Sequence, residues 1–102
     1  MKILFREPLN QPLQLMEIED DFVEIINLIG GYFQAIDIGQ GVTCLLDEEG
    51  MLKGLRNNFY HDDYGWILGK VMFCSTKGED FVSLTEEQIK YVAKYIGFPI
   101  KK

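Results

Sequence analysis

The chain has 102 residues, 47% of them hydrophobic, which is enough for one domain with its own core, and its two cysteines are too few for a disulfide scaffold. Ten Lys and Arg against 16 Asp and Glu give a net charge of −6, and a molecule with that average field repels a bare phosphate backbone, so DNA and RNA are not expected as partners. No apolar run nears the ~20 residues of a membrane span, and the start MKILFREP lacks the apolar stretch of a signal peptide, so a soluble cytoplasmic protein with no membrane partner is expected.

Lys2 to Arg6 is a short apolar run and Leu13 to Ile18 resumes the strand pattern, so the two are expected to pair as a hairpin across a Pro8 to Pro12 loop long enough to move. From Asp20 the period changes. Phe22, Ile25, Ile26 and Ile29 fall on one face of a helix, with Asp20 or Asp21 as its N-cap and Gly30 and Gly31 at its exit. The acids Glu19, Asp20, Asp21 and Glu24 suit the positive end of that helix.

Tyr32 to Ile38 and Val42 to Leu46 read as strands joined by Gly39, Gln40 and Gly41, where glycine supplies the positive φ of a tight hairpin. Asp47, Glu48, Glu49 and Gly50 make a second turn, with Gly50 suited to a left-handed position. Arg56 to Trp66 is less regular. Ile67 to Ser75 reads as one strand in which Gly69 marks a bulge or a close backbone approach, and Lys77 to Asp80 turns the chain into Phe81 and Val82. The last element is a helix: Thr85 caps it, Gln88 answers the cap, Leu84 staples onto Ile89, Ile89, Val92, Ala93 and Ile96 form a buried stripe, and Gly97 with Pro99 ends it. Cys44 and Cys74 stand alone in apolar runs, as buried free thiols do.

These elements predict an α+β fold in a single domain over 1–102, a mainly antiparallel sheet of about five strands with two helices packed on one face. Positions 97–102 are expected to be a loose tail. The other sheet face then meets solvent or an interface, and an aromatic content of 13% makes self-association into a homo-oligomer the expectation.

No motif carries an enzyme activity. His61 is the only histidine; beside Asp62 and Asp63 it could orient as a base or hold a metal, but no nucleophile is near it and structural zinc takes four ligands. Neither a catalytic residue, a metal site nor a cofactor is assigned. Most of the acids cluster at 17–24, 47–49 and 79–87, whereas a DNA mimic spreads them over most of its surface. The segment richest in binding chemistry is Arg56 to Trp66, where Arg56, Asn57, Asn58, Tyr60, His61, Tyr64 and Trp66 together could stack a base, pair with amide edges and neutralise a phosphate. The bland alternative is that Phe59, Tyr60 and Trp66 cover the core while Asn57 and Asn58 turn the chain.

Taken in order, MKILFREP, IGGYFQAI, DEEGMLKGLRNN, ILGKVMFC and GEDFVSLTEEQ resemble the DUF3846 family along nearly the whole chain. The most specific pieces are Gly30 and Gly31 before Tyr32, the spacing of Glu49, Gly50, Leu52, Leu55 and Asn58, and Phe81, Ser83, Leu84, Thr85 and Glu86. The resemblance implies a small protein of bacteria, bacteriophages and mobile elements, with no established activity to carry over. In that setting the leading expectation is a non-enzymatic anti-defence sponge that sequesters a small nucleotide-derived immune signal. The alternatives are an acidic inhibitor that grips a host defence nuclease or restriction component, using 17–24 or 47–49, an enzyme that cleaves such a signal with His61 as base, and an accessory protein with no ligand.

Overall fold

A computed structural model describes residues 1–101. It is an α+β fold with the element order β1 (Lys2–Arg6), β2 (Leu13–Glu17), α1 (Phe22–Ile29), β3 (Phe33–Gly39), β4 (Val42–Asp47), β5 (Asn57–His61), β6 (Gly65–Leu68), β7 (Val71–Lys77), β8 (Asp80–Val82), α2 (Glu86–Ile96) and β9 (Ile100–Lys101). Seven strands form one sheet in the order β3-β4-β7-β1-β2-β9, with β8 paired to β7, and β5-β6 form a separate two-stranded sheet. All pairings are antiparallel except β2 with β9. The expectation of about five strands is therefore too low, because Arg56 to Trp66 holds most of a hairpin, Ile67 to Ser75 is split between β6 and β7, Asp80–Val82 pairs with β7 as a strand of its own, and Ile100–Lys101 adds another.

The helices form where local chemistry directs them. Asp21 caps α1, its carboxylate accepting from the Val23 and Glu24 N–H groups, and Gly30 ends it in the left-handed conformation at φ 96°. Thr85 and Gln88 close a reciprocal capping box on α2, and Gly97 ends it in the same way.

The helices do not share a face of the sheet. Side chains alternate along a strand, so Ile3 and Phe5 of β1 point one way and Leu4 and Arg6 the other. Ile3, Phe5, Leu45, Met72 and Cys74 pack with Ile25 and Ile29 of α1. Leu4, Cys44, Leu46, Val71 and Phe73 pack with Ile89 and Val92 of α2, and also with Phe59 and Ile67 of the β5-β6 hairpin. The sheet is covered on both faces, and the one-sided arrangement is corrected accordingly: no open second face is left. The apolar stripe of α1 buries Ile25 and Ile29, while Phe22 stands exposed at its rim, 5.5 Å from the Phe33 ring.

The chain end is held. Leu13 N–H donates to the Pro99 carbonyl at 3.1 Å, Ile100 and Lys101 pair with Leu13 and Gln14, and the Phe98 ring covers the Arg6 guanidinium at 4.5 Å. Positions 98–101, within the stretch expected as a loose tail, make these contacts; Lys102 lies outside the described residues.

Gly50 has an ordinary negative-φ backbone, and the left-handed residue of that turn is Gly54, at φ 65°. Gly50 instead admits a close approach, since a Cβ there would lie 3.1 Å from Leu68 Cβ.

Candidate functional site

The candidate site begins with a displaced register. In the β5-β6 hairpin Asn57 faces Leu68 and Phe59 faces Ile67, so Asn58 is an extra residue, and both Asn58 and Phe59 turn inward. Phe59 enters the core beside Phe73 and Tyr95, at 5.8 and 6.0 Å between ring centroids. Asn58 meets Arg6, the last residue of β1, on the same sheet face. Its Nδ2 donates to the carbonyls of Arg6 (3.1 Å) and Gly69 (2.8 Å), and its Oδ1 and backbone oxygen accept from Arg6 Nη1 at 3.1 and 2.7 Å.

Arg6 is the unusual group. It is 1% exposed, yet among the described residues it has no carboxylate within ion-pair distance. Its Nε donates to the Gln11 carbonyl at 2.7 Å, which ties down the β1-β2 loop, and Leu9 N–H donates to Asn57 O at 3.0 Å to fix the same loop to the hairpin. Nη2 has no partner and is the one such buried side-chain nitrogen or oxygen among the described residues. Burial lowers the Arg6 pKa from its usual value, but a guanidinium stays charged at neutral pH.

Arg6 lines a cleft of ≈ 220 Å³ between the hairpin and the end of α2, together with Asn58, Tyr60, Trp66, Tyr95 and Phe98. Tyr60 and Trp66 are cross-strand partners, their rings meeting edge to face at 5.6 Å, and each is more than half exposed (57% and 55%). An exposed aromatic pair beside a buried, unpaired cation can receive a planar ring and an anionic oxygen together.

The seven residues singled out from sequence separate in space. Asn58, Tyr60 and Trp66 share this cleft. Tyr64 and Trp66 line a neighbouring one of ≈ 200 Å³ with Gln34 and Met51. Arg56 lies in another, of ≈ 330 Å³, beside Lys53 and Lys70 at the exit of α1. Asn57 is exposed and gives its carbonyl to Leu9. His61 is buried at the end of β5, its Nδ1 accepting from the Asp63 N–H at 3.0 Å and its ring 5.0 Å from that of Tyr64. Among the described residues, no group of three or more His, Cys, Asp and Glu side chains could hold a metal ion, and no helix is long and apolar enough to cross a membrane.

Arg6, Tyr95 and Phe98 are among the cleft residues that the sequence alone did not mark. They come from the first strand, the last helix and the chain end, and only the fold brings them to the hairpin.

Fold and clefts together define a small α+β protein, built on a largely antiparallel sheet covered on both faces, with an arginine-lined aromatic cleft at one edge of its core. The chain belongs to the family DUF3846, described as a domain of unknown function, whose profile matches residues 1–97. No curated protein and no solved structure matches it.

Proposed function

We propose that this chain is a non-enzymatic binding protein that holds a small nucleotide in the cleft between the β5-β6 hairpin and the end of α2. The observation that carries the reading is the buried Arg6, without a counter-ion among the described residues, next to the exposed Tyr60–Trp66 pair. A buried unpaired charge costs several kcal/mol, on the order of 3–5 when a partner is missing, and an anion supplied by a ligand removes that cost. In the bacterial and phage setting that the family resemblance implies, such retention would serve to sequester a nucleotide-derived immune signal. Trp66 is the only tryptophan and lines both this cleft and its neighbour, so its fluorescence reports on binding at the hairpin. Titration with a panel of mononucleotides and cyclic nucleotides should quench it saturably, and Tyr60→Ala should weaken the binding without unfolding the protein. A flat response to every nucleotide, with none released from protein purified from phage-challenged cells, would remove this reading.

A second reading, the acidic inhibitor, is supported by Phe22 and Val23, which stand 57% and 62% exposed amid Glu19, Asp20 and Asp21. Such a face should capture a basic partner with an affinity that falls steeply as salt rises, whereas nucleotide binding in a desolvated cleft should fall less. Self-association is supported by the open outer edge of β3 and by the exposed Met51 and Leu52; light scattering across a dilution series tests it.

A further inference from the structure

Resting on the nucleotide reading, we infer that Arg6 Nη2 is the anion contact of the cleft and that the ligand it selects carries one phosphate group, a nucleoside monophosphate rather than a polyphosphate. The guanidinium has five N–H groups. Nε is used by Gln11 O and Nη1 by Asn58 O and Oδ1, which leaves the two hydrogens of Nη2. The two-point forks that pair Nη2 with Nε or with Nη1 are thereby diminished, and the free edge suits oxygens of a single anionic group.

The face of the guanidinium is occupied as well. Phe98 lies over one side of it at 4.5 Å, and the N–H bonds lie in the guanidinium plane, so an anion is received in that plane at the Nη2 edge. Nη2 is closed off from solvent, so an anion reaches it only when a side chain lining the cleft moves.

Charge and size then set the ligand class. Among the described residues, Arg6 is the only cationic side chain that lines the cleft, and no lysine of that lining neutralises further phosphates. The net charge of −6 adds a general penalty for each extra negative charge brought in. A volume of ≈ 220 Å³ accommodates one phosphate and part of a sugar, with the base left against the exposed Tyr60 and Trp66.

The chain has two arginines, Arg6 and Arg56, so side-chain nitrogen NMR can follow the anchor without mutating it. Arg56→Lys, at an exposed position, assigns the two sets of signals. AMP, ATP and inorganic phosphate are titrated into the wild type while Trp66 fluorescence is read in parallel. The expected result is that AMP shifts the Arg6 guanidinium signals at the same concentrations at which it quenches Trp66, that it binds more tightly than ATP, and that phosphate alone shifts Arg6 weakly. Arg6→Lys, if folded, should weaken AMP by about tenfold, the loss of one charge-assisted hydrogen bond. Quenching of Trp66 by AMP with Arg6 unmoved overturns the anchor and leaves the nucleotide reading standing; tighter binding of ATP overturns the monophosphate class. Silence of both probes overturns the anchor and counts against the nucleotide reading too.

Discussion

Asn58 and Arg6 satisfy each other in both directions across 52 positions of sequence: Asn58 Nδ2 donates to the Arg6 carbonyl, and Arg6 Nη1 donates to Asn58 Oδ1 and to its backbone oxygen. The same amide reaches the Gly69 carbonyl, so one side chain joins β1, the bulge of β5 and the break between β6 and β7. Asn58→Ala strands buried partners on β1 and at the β6-β7 break and should cost about 2–4 kcal/mol. For a chain of this size that lowers the melting temperature by roughly 4–8 °C per kcal/mol. Asn58→Asp is the sharper variant: it faces Arg6 with a carboxylate but points an acceptor at two carbonyls that now receive a donor. It should be less stable than the wild type at neutral pH, and an equal or higher melting temperature would show that the missing counter-ion of Arg6 outweighs both lost donors.

Asp47 is buried at the end of β4 and bonded by Lys53 Nζ at 2.7 Å and by the Glu49 N–H at 2.8 Å. Burial acts to raise its pKa, but these hydrogen bonds and the lysine charge outweigh it, and the net shift is downward. The Lys53 pKa is raised, first by its hydrogen bond to Asp47. A depressed acid contributes stability above its unfolded pKa of about 3.9 and loses it as pH falls through the folded value. A raised lysine contributes below about 10.4 and loses it as pH rises through its folded value. The melting-temperature gap between wild type and Asp47→Asn should therefore be widest around neutral pH and close below about pH 4 and above about pH 10.4. A gap as wide at pH 3 as at pH 7 would rule the pair out as its source. Gly31→Ala gives the steric counterpart, since a Cβ there would lie 2.5 Å from Lys53 Nζ and 2.9 Å from Asp47 Oδ2. It should reproduce part of the same pH-dependent loss.

What was legible in the sequence was the chemistry that acts locally. Asp21, Thr85, Gln88 and Gly97 carry their helix ends within a few residues, and Gly39-Gln40-Gly41 carries its hairpin, with all three at positive φ. The two-sided burial of the sheet was present but unused: Val71 to Ser75 are buried one after another, and a strand covered on both faces shows no alternation. The β5-β6 hairpin stayed hidden because the bulge at Asn58 breaks its period of two and the polar turn from Asp62 to Tyr64 looks like loop. The Arg6 cleft has no local pattern at all. Its one sequence trace is a charged residue ending the apolar strand KILFR, two positions after Leu4 and so on the same buried face.

Cys44 and Cys74 occupy adjacent strands but opposite faces, both buried as free thiols. Burial pushes the Cys74 thiol up to about 12, with the charge of Asp20 adding to it, and raises Cys44 well above the ordinary thiol range. Only the thiolate reacts, so both should resist a thiol reagent at neutral pH and label together once the protein unfolds. Labelling measured against guanidinium concentration should follow the unfolding curve seen by circular dichroism. Fast modification of either cysteine in native buffer would mean that its face of the sheet opens locally.

The family match ends at residue 97, but the fold goes on using the chain beyond it. Phe98 covers the Arg6 guanidinium, the Pro99 carbonyl accepts from Leu13, and β9 gives β2 its outer partner. Deleting 98–102 removes a half-buried aromatic ring and a cation–π contact of about 0.5–2 kcal/mol, and returns the outer edge of β2 to solvent. Stability should fall by about 2–3 kcal/mol in all, seen as a lower urea midpoint with the slope little changed. Phe98→Ala alone should account for about half of that loss, because it keeps the β9 backbone pairing while exposing Arg6. Equal stability of the full chain and the deletion would mean that the tail merely rests on Arg6; a loss confined to the deletion, with Phe98→Ala neutral, would assign the contribution to the β9 backbone and away from the ring.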